Sequence, residues 1–372
     1  MSWKPLFSRA LAADPSRLHF AAHSHHLWPD ASHAGHEEAW DDAARLADRK
    51  WDHVMGPVWQ EAQAHIAAEI GLPDPATIAF SANTHDFILR IVSATGRRPL
   101  RVLSTDGEFH SFRRQMTRWE EDGTVRLDSV PAGMIAGVAA RGGHDLIFAS
   151  QVLFNSGEIL PDMEALATLA RPEGPWVVID GYHSFMAIPV DLSGMADRLF
   201  FLAGGYKYAM AGEGLGFLHV PPGFAPRPAA TGWFAEFDDL ESAPGQIGYA
   251  RDGRRFLGAT LDPAALYRFN AVRRMLASEG LDTRAICRHV TALQHRFISA
   301  GPMPGLSLLN PPGRDFGARF LAYRGENAPR LHAALMDRNV ITDVRADVLR
   351  IGFSLYHDAD DVDHLAGIVS TL

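Results

Sequence analysis

Apolar residues along this chain gather in short, nearly continuous runs at 77–81, 101–105, 145–153, 176–179, 198–202 and 215–220. Runs of that length and composition predict β-strands. Between several of them, at 85–94, 111–121 and 162–170, apolar positions return at helical spacing and predict helices. Alternation of this kind predicts an α/β fold, a mainly parallel sheet with helices on both faces. Over residues 221–258 the pattern dissolves into Pro, Gly and isolated aromatics, as in a long crossing segment. A second α/β unit follows. Residues 263–278 and 283–299 read as helices, 317–323 as a strand, 328–339 as a helix, 348–353 as a strand and 358–371 as a closing helix. The pattern therefore divides the chain into a large domain, 20–270, and a smaller C-terminal α/β domain, 271–372, with residues 1–19 expected to pack on the latter.

Composition narrows the function classes. The 372 residues are 47% hydrophobic and 21% charged, ordinary for a globular chain. A formal charge of −9 with no basic cluster argues against a nucleic-acid partner. No apolar run approaches membrane-spanning length, and the start Met1-Ser-Trp-Lys-Pro lacks the basic-then-apolar order of a signal peptide. The one cysteine, Cys287, lies in a helical pattern as a small buried hydrophobe, and a single thiol forms no internal disulfide. The expectation is a cytoplasmic protein.

Candidate chemistry concentrates in two segments. Trp176-Val-Val-Ile-Asp180-Gly-Tyr-His183 is an apolar run ending in a carboxylate, and Phe200-Phe-Leu-Ala-Gly-Gly-Tyr206-Lys207-Tyr208 is one ending in small residues and a lysine between tyrosines. Singly, Asp180 could start a turn and Lys207 could be a solvated loop residue. Presented together at the ends of neighbouring strands, they suit pyridoxal phosphate, whose aldehyde condenses with a lysine amine and whose ring nitrogen needs a carboxylate to stay protonated. Ligand sites in open α/β sheets collect beyond the carboxyl ends of the strands, where Ser81, Asp180 and the turn into Lys207 all fall.

Other segments carry two readings each. Phe80-Ser81-Ala82-Asn83-Thr84-His85 joins a strand to a helix and suits either a phosphate seat or an ordinary N-cap. In Gly107-Glu-Phe109-His110, a ring just past a strand could cover a flat cofactor or pack in the core. Arg350, inside an apolar strand, suits a substrate carboxylate or a structural ion pair with Asp343 or Asp347. Ala22-His23-Ser24-His25-His26 could hold a divalent metal or line a substrate pocket. Gly212-Glu-Gly-Leu-Gly216 precedes a strand instead of following one, the wrong context for a dinucleotide fingerprint.

Taken together these residues resemble the class V branch of the fold-type-I pyridoxal-phosphate enzymes, and within it the kynureninase family, from Leu18 to about Leu365. The resemblance implies that Asp180 faces the pyridine nitrogen, that His183 lies near the phenolic oxygen, and that Lys207 carries the cofactor with Tyr206 toward the phosphate. It further implies a phosphate turn at Ser81 and Ala82, a stacking ring at Phe109 and a small cofactor contact at Ser150. Trp233 and Thr260 match elements lent by the partner subunit of a homodimer. Arg350 matches the grip on the substrate α-carboxylate, and His53 a histidine facing the aromatic end of the substrate. The chain departs from the family at Asn155, where a tyrosine is usual, and at His23–His26, where the family has Asn-Ser-Leu-Gly. The functional expectation is a pyridoxal-phosphate enzyme acting on an α-amino acid, cleaving kynurenine or a related amino acid hydrolytically at Cβ–Cγ. The alternatives are a class V aminotransferase or lyase on a different amino acid, and a metal-dependent hydrolase with His23 and His25 as ligands. Cysteine desulfurase chemistry is disfavoured, because it needs a thiol on a mobile loop ahead of the Arg350 strand.

Overall fold

Seven strands form one sheet at the centre of the computed structural model, which describes residues 2–236, 245–301, 303–314 and 316–372. They are β1 (Ile78–Ser81), β2 (Leu100–Thr105), β3 (Val125–Val130), β4 (Leu146–Ser150), β5 (Trp176–Asp180), β6 (Leu199–Gly204) and β7 (Gly216–His219). Their spatial order is β1-β7-β6-β5-β4-β2-β3. β7 runs antiparallel to both its neighbours, and the other pairings are parallel. Every residue of β1, β4, β6 and β7 is buried, which is why these strands are legible as unbroken apolar runs. β3 lies at the edge with mostly exposed or half-buried positions, and its Val-Arg-Leu-Asp-Ser-Val makes no such run. The sequence pattern missed it for that reason.

A second omission is the helix α1 (Asp30–Leu46), which packs along α4 (Ala264–Ser278). The buried positions of α1 are Ser32, Gly35 and Asp42, so it lacks the apolar stripe that marks most helices. Contact replaces apolarity here: a Cβ on Gly35 would lie 2.6 Å from the Tyr267 carbonyl oxygen, so only glycine admits this approach. α4 runs unbroken through residue 270. The domain boundary expected there falls inside a helix, and the change of sheet comes after Ser278.

The C-terminal unit is an antiparallel sheet of order β10-β11-β9-β8, from β8 (Ser307–Leu308), β9 (Phe320–Arg324), β10 (Asp343–Arg345) and β11 (Val348–Gly352). It carries the helices α5 (Thr283–Ala300), α6 (Ala328–Met336) and α7 (Ala359–Val369). The N-terminal segment adds to this unit. Leu18–His19 pairs in parallel with Val340–Ile341, Ala21 bridges to Gly352, and Lys4 sits 3.0 Å from Asp358 and 2.9 Å from Asp361. The irregular crossing segment expected over 221–258 has short 3-10 turns at Trp233–Glu236 and Gly253–Phe256, and its residues 237–244 lie outside the described residues. Among the described residues no helix is long and apolar enough to cross a membrane.

Candidate active site

Parallel register sets the centre of the site. β4 and β5 end together, with Ser150 beside Asp180, and β6 continues past them through Gly204 into Tyr206 and Lys207. Strand ends therefore deliver a small hydroxyl, a carboxylate and an amine to one place. Lys207 is buried, and its Nζ lies 2.7 Å from Nε2 of the equally buried His183. Burial pushes the lysine pKa down, with the Arg350 charge adding to the effect and the Asp180 charge opposing it. Burial pushes Asp180 up, opposed by the backbone N–H of Tyr182, which donates to Oδ1 at 2.8 Å, and by the Lys207 charge. His183 is held far below the usual imidazole range by burial and by the nearby cations, so its ring is neutral. Its Nδ1 is buried with no protein partner.

These groups line a cavity of about 380 Å³. The Phe109 ring, at the N-cap of α3 (His110–Glu121), lies 5.5 Å from Lys207 Nζ, and the Tyr182 ring lies 4.9 Å from it. Two aromatic faces thus flank the amine. The wall continues through Asn83, Thr84 and His85 at the start of α2 (Thr84–Ala94), where helix N–H groups lack intrahelical partners. Behind the wall sits Glu108, fully buried. It accepts hydrogen bonds from Thr105 Oγ1 at 2.5 Å, the Ser150 backbone N at 2.9 Å and Ser150 Oγ at 2.5 Å. Burial raises its pKa to about 7, the Asp180 charge adds to the rise, and the Ser150 and Thr105 hydrogen bonds oppose it.

Arg350 approaches from the small sheet. Its Nε and Nη2 donate to Asp343 Oδ1 at 3.0 and 2.5 Å, and its Nη1 donates to the Phe154 carbonyl at 2.5 Å. Asp343 lies directly across from it in the β10–β11 register and also pairs with Arg345 at 2.9 Å. Of the two carboxylates the sequence left open, Asp343 is the partner. Asp347 sits instead near the exposed Arg324, at 3.5 Å.

The chain as a whole is similar to several known proteins. Residues 284–369 match the model of the kynureninase C-terminal domain. Over 379 aligned residues the chain is 28% identical to isopenicillin N epimerase of Streptomyces clavuligerus, covering 88% of this chain and 89% of the relative. A solved structure of a C-DES mutant with glycine covalently linked to its PLP cofactor superposes with a TM-score of 0.79 at 16% identity, over 97% of this chain and 98% of that one. The apo cysteine desulfurase of Thermococcus onnurineus NA1 superposes with a TM-score of 0.81 at 17% identity, over 100% and 99%. The chain has the fold-type-I pyridoxal-phosphate enzyme fold.

Within this fold the chain's own residues fit the cofactor. The buried amine, the half-buried Asp180 carboxylate, the flanking rings and the unpartnered His183 Nδ1 offer an attachment point, a partner for a ring nitrogen, two ring faces and a free polar atom. Asp180, His183, Tyr206, Lys207, Phe109 and Ser150 all meet at the cavity. Ser81 and Ala82 do not form its wall. Ser81 Oγ donates to Asp86 at 2.8 Å and Ala82 is exposed, so the wall begins one residue further on, at Asn83. His53 is also absent from the wall, its Nε2 3.0 Å from Asp42, which Tyr267 and Arg45 also engage. Trp233, 45% exposed, packs on Phe234, and Thr260 is exposed on irregular backbone. Neither lines the cavity of its own chain.

The two candidate metal histidines have different surroundings. His23 is fully buried against Phe320, ring centroids 4.9 Å apart, with both nitrogens unpartnered, whereas His25 is exposed and stacks on Tyr206 at 5.2 Å. Among the described residues no group of three or more His, Cys, Asp or Glu side chains is placed to hold a metal ion. Cys287, the only thiol, is buried in α5. Sequence reasoning missed Glu108 and Tyr182. Each sits inside a motif it had already singled out, one before Phe109 and the other between Asp180 and His183.

Proposed function

We propose that this chain is a pyridoxal-phosphate-dependent enzyme that acts at Cα of an α-amino acid, with Lys207 as the covalent attachment point. The observation carrying this reading is a buried lysine with two aromatic rings close to its amine and a half-buried carboxylate lining the same cavity. When bound, the cofactor supplies an aldehyde for amines and a ring that draws electron density from Cα. Lys207 Nζ, its proton loosened by burial, would hold the cofactor through its aldehyde carbon and, once freed from it, would accept the Cα proton. Asp180 would hold the proton of the ring nitrogen, Phe109 would cover one ring face, and the start of α2 would seat the phosphate. Arg350, held flat by Asp343 and the Phe154 carbonyl, would take the substrate carboxylate on the rest of its donor fork.

The likeness to an epimerase along most of both chains favours a reaction that starts by removing the Cα proton. Kynureninase-like hydrolysis is the second reading, supported by the C-terminal domain match, although His53 stands away from the cavity of its own chain. In either case the proposed working form is a cytoplasmic homodimer, with Trp233 and Thr260 reaching the partner's site. Purified protein should absorb in the near-visible, and borohydride should fix the label on the Lys207 peptide. A label mapped to another lysine, or protein that cannot be reconstituted with the cofactor, defeats the proposal. Release of alanine from kynurenine would favour the second reading, and loss of stereochemistry or of the α-proton without cleavage the first.

A further inference from the structure

Two facing glycines at the end of the sheet have unusual tenants. Gly204, the last residue of β6, pairs directly with Gly216, the first of β7. A Cβ built on Gly204 would stand 2.2 Å from the Tyr182 hydroxyl oxygen, and one built on Gly216 would stand 2.7 Å from the Asn83 carbonyl carbon. Directly opposed residues in an antiparallel pair project to the same face, with Cβ positions about 5 Å apart. The Tyr182 hydroxyl and the turn that opens α2 therefore lie side by side on one face, in the space two missing side chains leave. Both line the cavity that holds Lys207.

We infer that Tyr182 is part of the phosphate seat, its hydroxyl donating a hydrogen bond to the phosphate group next to the N–H groups at the start of α2. The inference rests on the cofactor reading above. A position at the end of β6 beside a helix N-terminus is well placed to offer a hydroxyl to an anion, and Gly204 has none to offer. Tyr182 reaches the same spot from the β5 side, its ring passing 4.9 Å from Lys207 Nζ on the way. Tyr206 stands next to it, ring centroids 4.9 Å apart, and the two phenols are hydrogen-bonded to each other, so a phosphate at the seat would take over the Tyr182 proton from Tyr206. Burial raises the Tyr182 pKa well above its ordinary value, with the Asp180 charge and the hydrogen bond to Tyr206 adding to the rise, which keeps the group a donor.

The test compares two ligands that differ only in the phosphate. Affinities of cofactor-stripped wild type and Tyr182→Phe for pyridoxal phosphate and for pyridoxal are measured by absorbance and tryptophan quenching. A lost hydrogen bond to a charged group predicts a roughly 10- to 100-fold weaker hold on pyridoxal phosphate, with the pyridoxal affinity unchanged. Gly204→Ala, whose methyl would stand 2.2 Å from the hydroxyl and 2.4 and 2.7 Å from two ring carbons of Tyr182, displaces the whole phenol and should weaken the hold on pyridoxal phosphate at least as much as Tyr182→Phe. The ³¹P resonance of bound pyridoxal phosphate should shift in both variants. Equal losses for the two ligands would reduce Tyr182 to a packing role, and an unchanged pyridoxal phosphate affinity would remove it from the seat altogether. Wild type that forms an adduct with neither ligand overturns the cofactor reading itself, and this inference with it.

Discussion

Glu108 offers a measurement that isolates one buried proton. The carboxyl is fully buried, and its hydrogen bonds from Thr105 and Ser150 do not offset the loss of water, so its pKa rises from 4.5 to about 7 on folding. A carboxyl raised in this way supports the fold below its unfolded pKa and loses that support as pH climbs through the folded one. At about 1.4 kcal/mol per pH unit, the loss between pH 4.5 and full ionisation near pH 8 comes to about 3 kcal/mol. Glu108→Gln stays neutral throughout. Its carbonyl keeps the bonds from Thr105 and the Ser150 backbone, and its amide donates to Ser150 Oγ, as the protonated acid would. Urea midpoints of both proteins at pH 5, 6, 7 and 8, at equal cofactor occupancy, should show the variant gaining on the wild type as pH rises. The gain should approach the full 3 kcal/mol at the alkaline end. A difference that stays flat over this range, or a wild type that gains on the variant toward pH 8, refutes the reasoning, since either requires a Glu108 that is ionised at little cost.

Asp180→Asn should retain the cofactor while turnover falls by about three orders of magnitude, the order expected when a few kcal/mol of charge stabilisation is lost; near-normal turnover in cofactor-loaded variant would falsify its role. Asp343→Ala leaves the Arg350 guanidinium buried without its carboxylate, at a cost of about 3–5 kcal/mol in the urea midpoint. Asp347→Ala, whose neighbour Arg324 is half in solvent, should cost less than about 1 kcal/mol. Equal penalties for those two substitutions would contradict the assignment of the partner.

The strands that carry the site were legible because the chain buries them on both faces. Residues 146–150, 176–180 and 199–204 have almost no solvent side to diversify them, so burial alone writes an unbroken apolar run, and each run leads at its end to a side chain that lines the cavity. Asp180 and Lys207 could be read for that reason. β3 and α1 could not, because an edge strand needs few apolar residues and a helix seated on Gly35 buries backbone in place of an apolar stripe. The choice of Asp343 over Asp347 for Arg350 was equally closed to the sequence, since both lie within a few residues of the arginine and the β10–β11 register alone sets one opposite it. Glu108 and Tyr182 make the same point within the site. Their residue types were visible, but which strand end buries the carboxyl and which glycine the phenol covers depend on segments 42 residues apart in one case and 22 in the other. Local pattern reports how much of an element is buried. What it is buried against is decided only when register and packing bring distant segments together.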